Sequence, residues 1–304
     1  MARSAPDAAL VLAAGLGTRL RPLTSSRAKP SLPVAGVSLI ERVAGWLADA
    51  GIRDLLVNLH YRPETITALL GDGTRLGVRV RYSWEQPILG SAGGPRRAFA
   101  LTSAERLWLV NGDTICDVSL EAMAAAHASS DALVTLAVIP NPDTDRYGGA
   151  TLDGDVVTGF VPRGQGPSWH FIGVQIAERE AFEALQDGIA EESVGRRYPA
   201  LIAGRLGSVR AFRSQAAFHD IGTPADYLAA CLHFAAGDPA RLVAVSARVA
   251  ADAHVEDSVV WDDVEIAAGA RLVRSIVMSG ARVPSGFTAV GQVVAPDLTS
   301  SGIG

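Results

Sequence analysis

The sequence predicts an α/β protein whose Rossmann-like, mostly parallel sheet is followed by a short C-terminal left-handed parallel β-helix. Strand-like and helix-like stretches alternate over the first two thirds of the 304 residues, as in sheets that are flanked by helices. Between about Tyr147 and Ile176 the chain is strand-rich with glycine turns, which indicates an antiparallel insertion. From Val249 onward an apolar residue recurs about every six positions, which is typical of a β-helix.

The elements of the first part can be placed in order along the chain. A buried strand is expected over residues 8–14 and an amphipathic helix over residues 38–50, since Leu39, Val43 and Leu47 recur on one helical face. The remaining elements are strands at 54–59, 78–83, 107–110 and 132–139, and helices at 64–70, 120–127, 180–185 and 225–236. Strands and helices that alternate at this spacing predict parallel pairing.

The C-terminal segment carries the six-residue period. Its apolar positions, with one five-residue slip, are Val249, Val255, Trp261, Ile266, Leu272 and Met278. The span allows only about two and a half coils, and so short a stack cannot bury its own ends. We therefore expect two domains, residues 1–238 and 239–304. The β-helix would dock on the first domain or on another subunit of a homo-oligomer; a few irregular strands are the alternative.

Composition excludes several classes of function. The formal net charge of −5 argues against a nucleic-acid-binding protein, which needs a basic face. No apolar run reaches the ~20 residues of a membrane-spanning helix. The first apolar run passes into Gly15 and Gly17 without a secretory cleavage pattern. We expect a cytoplasmic protein with no membrane partner, in which Cys116 and Cys231 are reduced structural thiols.

The first strand runs directly into a glycine loop. Gly15, Gly17 and Thr18 can bring backbone N–H groups against phosphate oxygens. The loop is not a dinucleotide fingerprint, because Leu20 stands at the third glycine position, and it lacks the Gly-Lys-Ser/Thr ending of a Walker loop. Three cations lie within eleven residues beside it: Arg19, Arg21 and Lys29. In an acidic protein this favours a polyphosphate ligand; a tight turn with solvated arginines is the alternative.

Lys29 is the only lysine among the 27 basic residues, and all the others are arginine. An ammonium group is a compact point charge, whereas a guanidinium is a broad planar fork. We therefore expect Lys29 to do something that arginine cannot. Chance retention in an arginine-rich sequence is the alternative.

Two carboxylates lie at positions where ligands bind. Asp113 follows the short apolar strand 107–110, and open α/β sheets bind ligands beyond the carboxyl ends of their strands. Asp220 lies in the turn before a helix, for which Thr223 is the expected N-cap and Asp226 its capping-box partner. Two carboxylates that hold Mg²⁺ against substrate phosphates are a usual arrangement for this ion.

These motifs resemble the signature of the nucleoside-diphosphate-sugar pyrophosphorylases, the sugar-phosphate nucleotidyltransferases: roughly L-A-x-G-x-G-T-R-L-x-P-L-T, then K-P-x-x-P-V. The signature stands here at residues 12–24 and 29–34, with Ala28 where many members have proline. The match continues in the family's order through further blocks at 70–73, 90–94, 111–113, 147–148 and 220–224. It covers most of residues 8–236. Within the family the chain looks most like bacterial mannose-1-phosphate guanylyltransferases.

The resemblance implies an enzyme that converts an NTP and a sugar 1-phosphate into an NDP-sugar and pyrophosphate with Mg²⁺. It implies catalytic roles for Arg19, Lys29 and Asp113, and it implies that Asp113 and Asp220 hold the ion, with Asp117 as the local competitor. The residues that it implies for nucleotide binding are Ala14, Gly15, Gly17, Thr18, Glu85 and Gly90. Those that it implies for the sugar phosphate are Tyr147, Gly148, Arg163 and Gly173.

The sugar-binding half departs from the family's pattern. The family's Glu-Lys-Pro triplet is matched by Phe160-Val-Pro-Arg163, so the carboxylate is missing and Arg163 replaces lysine. Glu85 can accept hydrogen bonds from guanine N1 and N2, or it can be an exposed charge at a strand end. The expected substrates are GTP and mannose 1-phosphate. The alternatives are uridylyl or thymidylyl transfer to glucose 1-phosphate or N-acetylmuramate 1-phosphate, a cytidylyltransferase, and a regulatory subunit that binds sugar nucleotide without turnover.

Overall fold

The computed structural model describes residues 4–303, which form two compact units. The first unit contains the chain up to Gly15 together with Ile40–His219. The second contains Leu16–Leu39 together with the chain from Asp220 onward. None of the helices in the described residues has the length and hydropathy that a membrane-spanning helix needs. The domain boundary predicted after residue 238 stays a prediction.

The first unit is built on a nine-stranded sheet. In chain order its strands are β1 (Ala8–Leu12), β2 (Asp54–Leu59), β3 (Arg79–Trp84), β4 (Arg106–Asn111), β5 (Val134–Pro140), β6 (Gly149–Asp153), β7 (Val156–Val161), β8 (Trp169–Glu178) and β9 (Val209–Arg213). They lie side by side in the order β3-β2-β1-β4-β8-β5-β9-β7-β6. The first four strands in this order are parallel, as is the pair β5–β9, whereas β8, β7 and β6 pair antiparallel with their neighbours. The expected α/β class, with an antiparallel insertion, is confirmed.

Helices cover the sheet of the first unit. They are α1 (Leu39–Asp49), α2 (Pro63–Leu70), α3 (Gly90–Ala100), α4 (Leu120–Ala128), α5 (Glu180–Glu183) and α6 (Tyr198–Gly204), with a 3₁₀ turn at Thr74–Leu76 and a π-helical turn at Ser193–Arg197. The core between these layers contains Phe99 and Phe182, whose rings stack at 5.9 Å, and the fully buried Tyr198. Burial of such aromatic rings is a large apolar contribution to stability.

The carboxyl ends of three parallel strands meet in one row. Leu12 at the end of β1 pairs with Asn58 of β2 on one side and with Asn111 of β4 on the other. Asn58 and Asn111 therefore place polar side chains on either side of the end of β1, at the edge where α/β sheets bind ligands.

The second unit contains the loop after β1 and the C-terminal part of the chain. It includes 3₁₀ turns at Thr18–Leu20, Lys29–Ser31 and Pro239–Leu242, a hairpin of Pro33–Val34 with Val37–Ser38, and α7 (Pro224–Ala235). α7 begins as the sequence predicts, because the Thr223 hydroxyl accepts a hydrogen bond from Asp226 N and the Asp226 carboxylate accepts one from Thr223 N. This capping box satisfies two otherwise unpaired N–H groups.

A parallel β-helix of hexapeptide repeats completes the second unit. The strands of its three faces are Arg248–Val249, Glu265–Ile266 and Arg282–Val283; His254–Glu256, Arg271–Val273 and Thr288–Val290; and Val259–Val260, Ile276–Val277 and Gln292–Val294. The strand Ser300–Gly302 pairs antiparallel with the last of these. Equivalent residues such as Ser258 and Ser275 are 17 apart and joined by a hydrogen bond. A coil of 17 residues explains why the six-residue period slips once to five.

The interior of the coil is apolar. Leu272 is fully buried among Ile266, Val283 and Ala289, and Val255 packs against the same core. Stacking successive coils buries these side chains, which a single repeat could not do.

Candidate active site

The Asn111–Asp113 turn lies directly against the end of β1. Gly112 N donates a hydrogen bond to Leu12 O at 2.8 Å, and a Cβ on Gly112 would lie 3.0 Å from the same carbonyl oxygen. Glycine therefore permits this close approach of two backbones. It leaves the Asp113 carboxylate, which is half-buried, at the carboxyl edge of the sheet.

Gly173 of β8 closes the other side of this turn. Its φ is +80°, and a Cβ there would lie 2.5 Å from Asn111 Nδ2 and 2.6 Å from Thr114 Oγ1. The Thr114 hydroxyl also donates to Ile172 O at 3.2 Å. The structure thus brings the predicted Gly173 next to the turn that carries Asp113, and no other residue type fits there without displacement.

A buried carboxylate fixes the exit of β1. Glu85 is 3% exposed, and its two oxygens accept hydrogen bonds from Asn58 Nδ2 and Leu89 N, both at 2.8 Å. Asn58 Oδ1 in turn accepts from Ala13 N at 2.6 Å. The hydrogen bonds that run from Ala13 through Asn58 to Glu85 hold the backbone just before the predicted Ala14 and Gly15. The alternative of an exposed strand-end charge at Glu85 is therefore wrong.

Gly90 begins α3 with a φ of +72°. A Cβ on it would lie 2.7 Å from Glu191 O, so the loop before the π-helical turn fills the space beside this glycine. Ser91 next to it donates to Glu192 Oε2 at 2.8 Å. The predicted nucleotide-binding residue Gly90 thus packs closely against a loop that is distant in sequence, and this contact leaves no room for a side chain.

The predicted sugar-phosphate residues of the antiparallel insertion also lie together. A Cβ on Gly148 would lie 2.8 Å from Val161 O and 3.6 Å from Arg163 N, so Gly148 faces the segment that carries Arg163. The Tyr147 ring lies 4.4 Å from the His170 ring, which follows the start of β8. The Arg163 side chain is exposed.

Asp117, the competitor of Asp113, is engaged elsewhere. Its Oδ1 accepts a hydrogen bond from Ala217 N at 2.7 Å, beside the small antiparallel pair of Ile115–Cys116 with Phe218–His219. Burial raises the pKa of the Cys116 thiol to about 11, so this sulfur stays protonated at neutral pH, as expected of a structural thiol.

In the second unit, the glycine loop folds back on itself. Gly17 has a φ of +60°, and its carbonyl accepts a hydrogen bond from the Thr24 hydroxyl at 2.8 Å. A Cβ on Gly17 would lie 3.0 Å from Thr24 Cγ2 and 3.2 Å from Lys29 Cβ. The stem of Lys29 therefore packs over Gly17, which brings two of the predicted site residues together. Thr18 and Arg19 are exposed, so the loop presents their polar groups to solvent.

Arg19 and Asp220 reach one point in the second unit. A Cβ on Gly222 would lie 3.2 Å from Asp220 Oδ2, 3.3 Å from Arg19 Nη1 and 3.4 Å from Asp226 Oδ2. Asp226 is occupied as the cap of α7, as predicted. Arg19 and Asp220 thus combine an anion-binding guanidinium with a carboxylate at one place in the chain.

Carboxylates such as those of Asp113 and Asp220 suit a hard divalent ion that also binds substrate phosphates. Residues 4–303 contain no group of three or more His, Cys, Asp or Glu side chains able to hold a metal. Mg²⁺ is usually held by one or two carboxylates plus phosphate oxygens, so Asp113 and Asp220 have suitable chemistry. Their pairing on one ion stays a prediction from the resemblance.

Comparison with known proteins decides the family. The nucleotidyl transferase family matches residues 8–236, three quarters of the sequence. The chain belongs to this family. Residues 239–300 match the GlmU-like C-terminal hexapeptide family, in agreement with the β-helix.

Several relatives of this nucleotidyl transferase are sugar-phosphate guanylyl- or uridylyltransferases. It is 31% identical over 293 residues to the mannose-1-phosphate guanylyltransferase of Mycobacterium tuberculosis, which covers 91% of this chain and 81% of the relative. It is 35% identical to the N-acetylmuramate alpha-1-phosphate uridylyltransferase of Neisseria meningitidis over 64% of this chain and 83% of the relative. The crystal structure of HddC from Yersinia pseudotuberculosis, complexed with GMP-PN, has a TM-score of 0.64 and 26% identity; it covers 75% of this chain and 99% of that one. The expectation of a nucleotidyltransferase enzyme is confirmed.

Sequence reasoning missed Asn58 and Thr114 in the site of this nucleotidyl transferase. Asn58 joins Ala13 to Glu85, and Thr114 lies against Gly173. The signal for Asn58 was present, because it is a polar residue near the carboxyl end of an otherwise apolar strand. Thr114 directly follows a predicted ligand and gave no separate signal.

Proposed function

We propose that the protein is a mannose-1-phosphate guanylyltransferase, which makes GDP-mannose and pyrophosphate from GTP and mannose 1-phosphate. One observation carries this proposal: the M. tuberculosis relative of that name aligns across both the catalytic part and the β-helix of this chain. A second relative, the D-glycero-alpha-D-manno-heptose 1-phosphate guanylyltransferase of Aneurinibacillus thermoaerophilus, is 31% identical over 72% of this chain. Both names combine guanylyl transfer with a manno-configured sugar.

The reaction needs positioning and charge neutralisation rather than a general base. A phosphate oxygen of the sugar phosphate is already anionic when it attacks the α-phosphorus in line. The new O–P bond forms as the bond from the α-phosphorus to the bridging oxygen breaks, and pyrophosphate leaves with that oxygen. Such a displacement is accelerated by holding both substrates in line and by fixed cations around the phosphates.

The residues of the loop take individual roles in this proposal. Backbone N–H groups from Gly15 to Thr18 hold the triphosphate. Arg19 binds the leaving pyrophosphate, since a guanidinium matches two phosphate oxygens at once. Lys29 neutralises charge at the α-phosphorus. Ala14, which precedes the loop, and Gly90 at the start of α3 lie against the nucleoside.

Asp113 and Asp220 would hold Mg²⁺ in this proposal. When bound, the ion offsets negative charge on the phosphates. Arg19 and Asp220 both approach Gly222 in the second unit, so a guanidinium for the phosphates and a carboxylate for the ion lie near one point there. On the sugar side, Arg163 binds the phosphate, while Tyr147, Gly148 and Gly173 shape the pocket for the ring.

A uridylyltransferase acting on N-acetylmuramate 1-phosphate is the second candidate. It is favoured by the higher identity, 35%, to the N. meningitidis enzyme. That alignment covers less of this chain than the one with the guanylyltransferase.

Pyrophosphate release measured over a matrix of four NTPs and a panel of sugar 1-phosphates tests the proposal. We expect the highest kcat/KM with GTP and mannose 1-phosphate, and no turnover when the divalent ion is chelated. Faster turnover of UTP than of GTP would select the second candidate. Binding of a sugar nucleotide with no turnover of any pair would identify a regulatory subunit. Light scattering on the same sample tests the expected homo-oligomer.

A further inference from the structure

Arg27, two residues before Lys29, is bound by the β-helix of the second unit. Its guanidinium lies over the Trp261 ring, 4.5 Å from the centroid. Its Nη2 donates to Ser279 Oγ at 2.9 Å and lies 3.7 Å from Asp262 Oδ2. Asp262 and Ser279 are equivalent positions of successive coils, so two coils hold one side chain.

Two further hydrogen bonds hold the same segment at its other end. Trp261 Nε1 donates to the Tyr227 hydroxyl at 2.8 Å, and that hydroxyl donates to Pro33 O at 2.5 Å. Trp261 and Tyr227 are both buried, and burial holds the pKa of the Tyr227 phenol well above its usual value. The phenol therefore remains a hydrogen-bond donor at neutral pH.

The contacts of Arg27 and the hydrogen bonds that lead to Pro33 lie on either side of Lys29 in the sequence. Arg27 precedes it and Pro33 follows it, while Ala28 is fully buried between them. Trp261 takes part in both sets of contacts. Its ring face lies against Arg27, and its N–H group donates to Tyr227. The segment that places the Lys29 stem over Gly17 is thus clamped at both ends by the β-helix and α7.

We propose that Arg27 is a positioning residue for the reaction, through which the β-helix sets the place of the Lys29 ammonium. The inference rests on the proposed role of Lys29. It gives the β-helix a part in chemistry beside any part in assembly. A displacement of about 1 Å in a phosphate site is enough to cost a large factor in rate.

Arginine fits this position for a physical reason. Its planar guanidinium stacks on an indole and donates sideways at the same time, which a lysine ammonium cannot do equally well. A lysine at position 27 would keep the charge beside Asp262 but lose the fork that joins the ring to Ser279.

The test measures kcat, KM and melting temperature for Arg27→Ala, Arg27→Lys and Ser279→Ala, each made in the wild-type chain and in the Lys29→Ala chain. Ser285→Ala is the matched control, because the Ser285 hydroxyl donates to Ala268 O within the β-helix. If Arg27 acts through Lys29, Arg27→Ala lowers kcat about 10- to 100-fold in the wild-type chain. In the Lys29→Ala chain the same change lowers kcat by less than about twofold, since the group to be positioned is already gone. Arg27→Lys restores part of the rate, Ser279→Ala gives a smaller loss, and Ser285→Ala gives none.

The possible results distinguish failure of the proposed role of Arg27 from failure of the proposed role of Lys29. Equal fold losses in both chains would show that Arg27 only maintains the folded fraction, and the inference would be wrong. Wild-type kcat for Arg27→Ala beside an impaired Lys29→Ala would also overturn it, while leaving the role of Lys29 intact. A Lys29→Ala protein with wild-type turnover would instead remove the proposed role of Lys29, and this inference with it.

Discussion

Lys29 packs its side-chain stem directly over Gly17, where a Cβ on the glycine would lie 3.2 Å from Lys29 Cβ. The only lysine of the chain is thereby fixed to the loop whose backbone is proposed to hold the triphosphate. Gly17 needs its left-handed backbone and its missing side chain for this contact. The contact therefore sets where the Lys29 side chain begins relative to the glycine loop.

Lys29→Arg should lower kcat by about 10²–10³-fold, the scale for loss of one preorganised charged donor. The guanidinium keeps the charge but moves its centre and adds a planar head that the phosphate site must accommodate. Steady-state pyrophosphate release gives kcat, and a thermal melt should show a melting temperature near that of the wild type. Lys29→Ala should be impaired at least as much.

Lys29→Met is the control for this prediction. Methionine keeps an unbranched stem over Gly17 and removes only the ammonium, so its melting temperature should match that of the wild type while its turnover is lost. Near wild-type turnover by Lys29→Arg or Lys29→Met would show that Lys29 survives by chance and would move charge neutralisation to Arg19 and the metal.

The fold was predictable from sequence wherever one period dominated. The helix α1 and the strands β1, β2 and β4 lie within a few residues of their expected bounds, because their apolar residues follow a single spacing. Helix α3 was missed, since its sequence GSAGGPRRAFA combines glycines and a proline that disfavour helix. Its glycines are required by tertiary contacts, as at Gly94, where a Cβ would lie 2.9 Å from Glu85 Oε1.

The site was predictable only as far as motifs reached. The glycine loop and the Asp113 turn could be placed from the sequence because each is a local pattern at a strand end. The approach of Arg19 and Asp220 to Gly222, and the hydrogen bond of Asn58 to Glu85, bring together residues far apart in the chain. Such pairs leave no periodic or local signal, so only the folded structure reveals them.

Glu85→Gln should destabilise the protein by about 1–3 kcal/mol, because one of the two buried donors to the carboxylate would then face an amide N–H₂ group. Since Glu85 holds the exit of β1 through Asn58, we expect kcat/KM to fall by a similar factor for GTP and for UTP. Glu64→Gln, at an exposed position of α2, is the control. A selective loss with GTP would show instead that Glu85 contacts the base directly, as the resemblance implies.

Cys116 should make the stability of the protein fall in alkali. Burial raises the pKa of its thiol from 9.0 to about 11, so the folded state keeps this proton longer than the unfolded state does. The stabilisation is complete below about pH 9 and is lost as the pH rises to about 11, by an amount on the order of 2 kcal/mol. Urea unfolding at several pH values should show the loss in the wild type and less of it in Cys116→Ala. Parallel pH profiles for the two proteins would contradict the assigned burial.

Gly173→Ala should impair both folding and turnover, because the site allows no side chain at this position. Its φ of +80° costs any other residue roughly 1–2 kcal/mol. In addition, the new Cβ would lie 2.5 Å from Asn111 Nδ2 and 2.6 Å from Thr114 Oγ1, and such overlap in a packed region costs about 1–3 kcal/mol more. Relief of the overlap moves the turn that carries Asp113, so kcat/KM should fall by about 10²-fold. Gly36→Ala is the matched control for this prediction, with a φ of +82° and no atom within 4 Å of its Cβ position. This variant should show the backbone cost alone. Equal free energies of unfolding for the two variants would mean that β8 moves aside freely, and Gly173 would then have no part in holding the Asp113 turn.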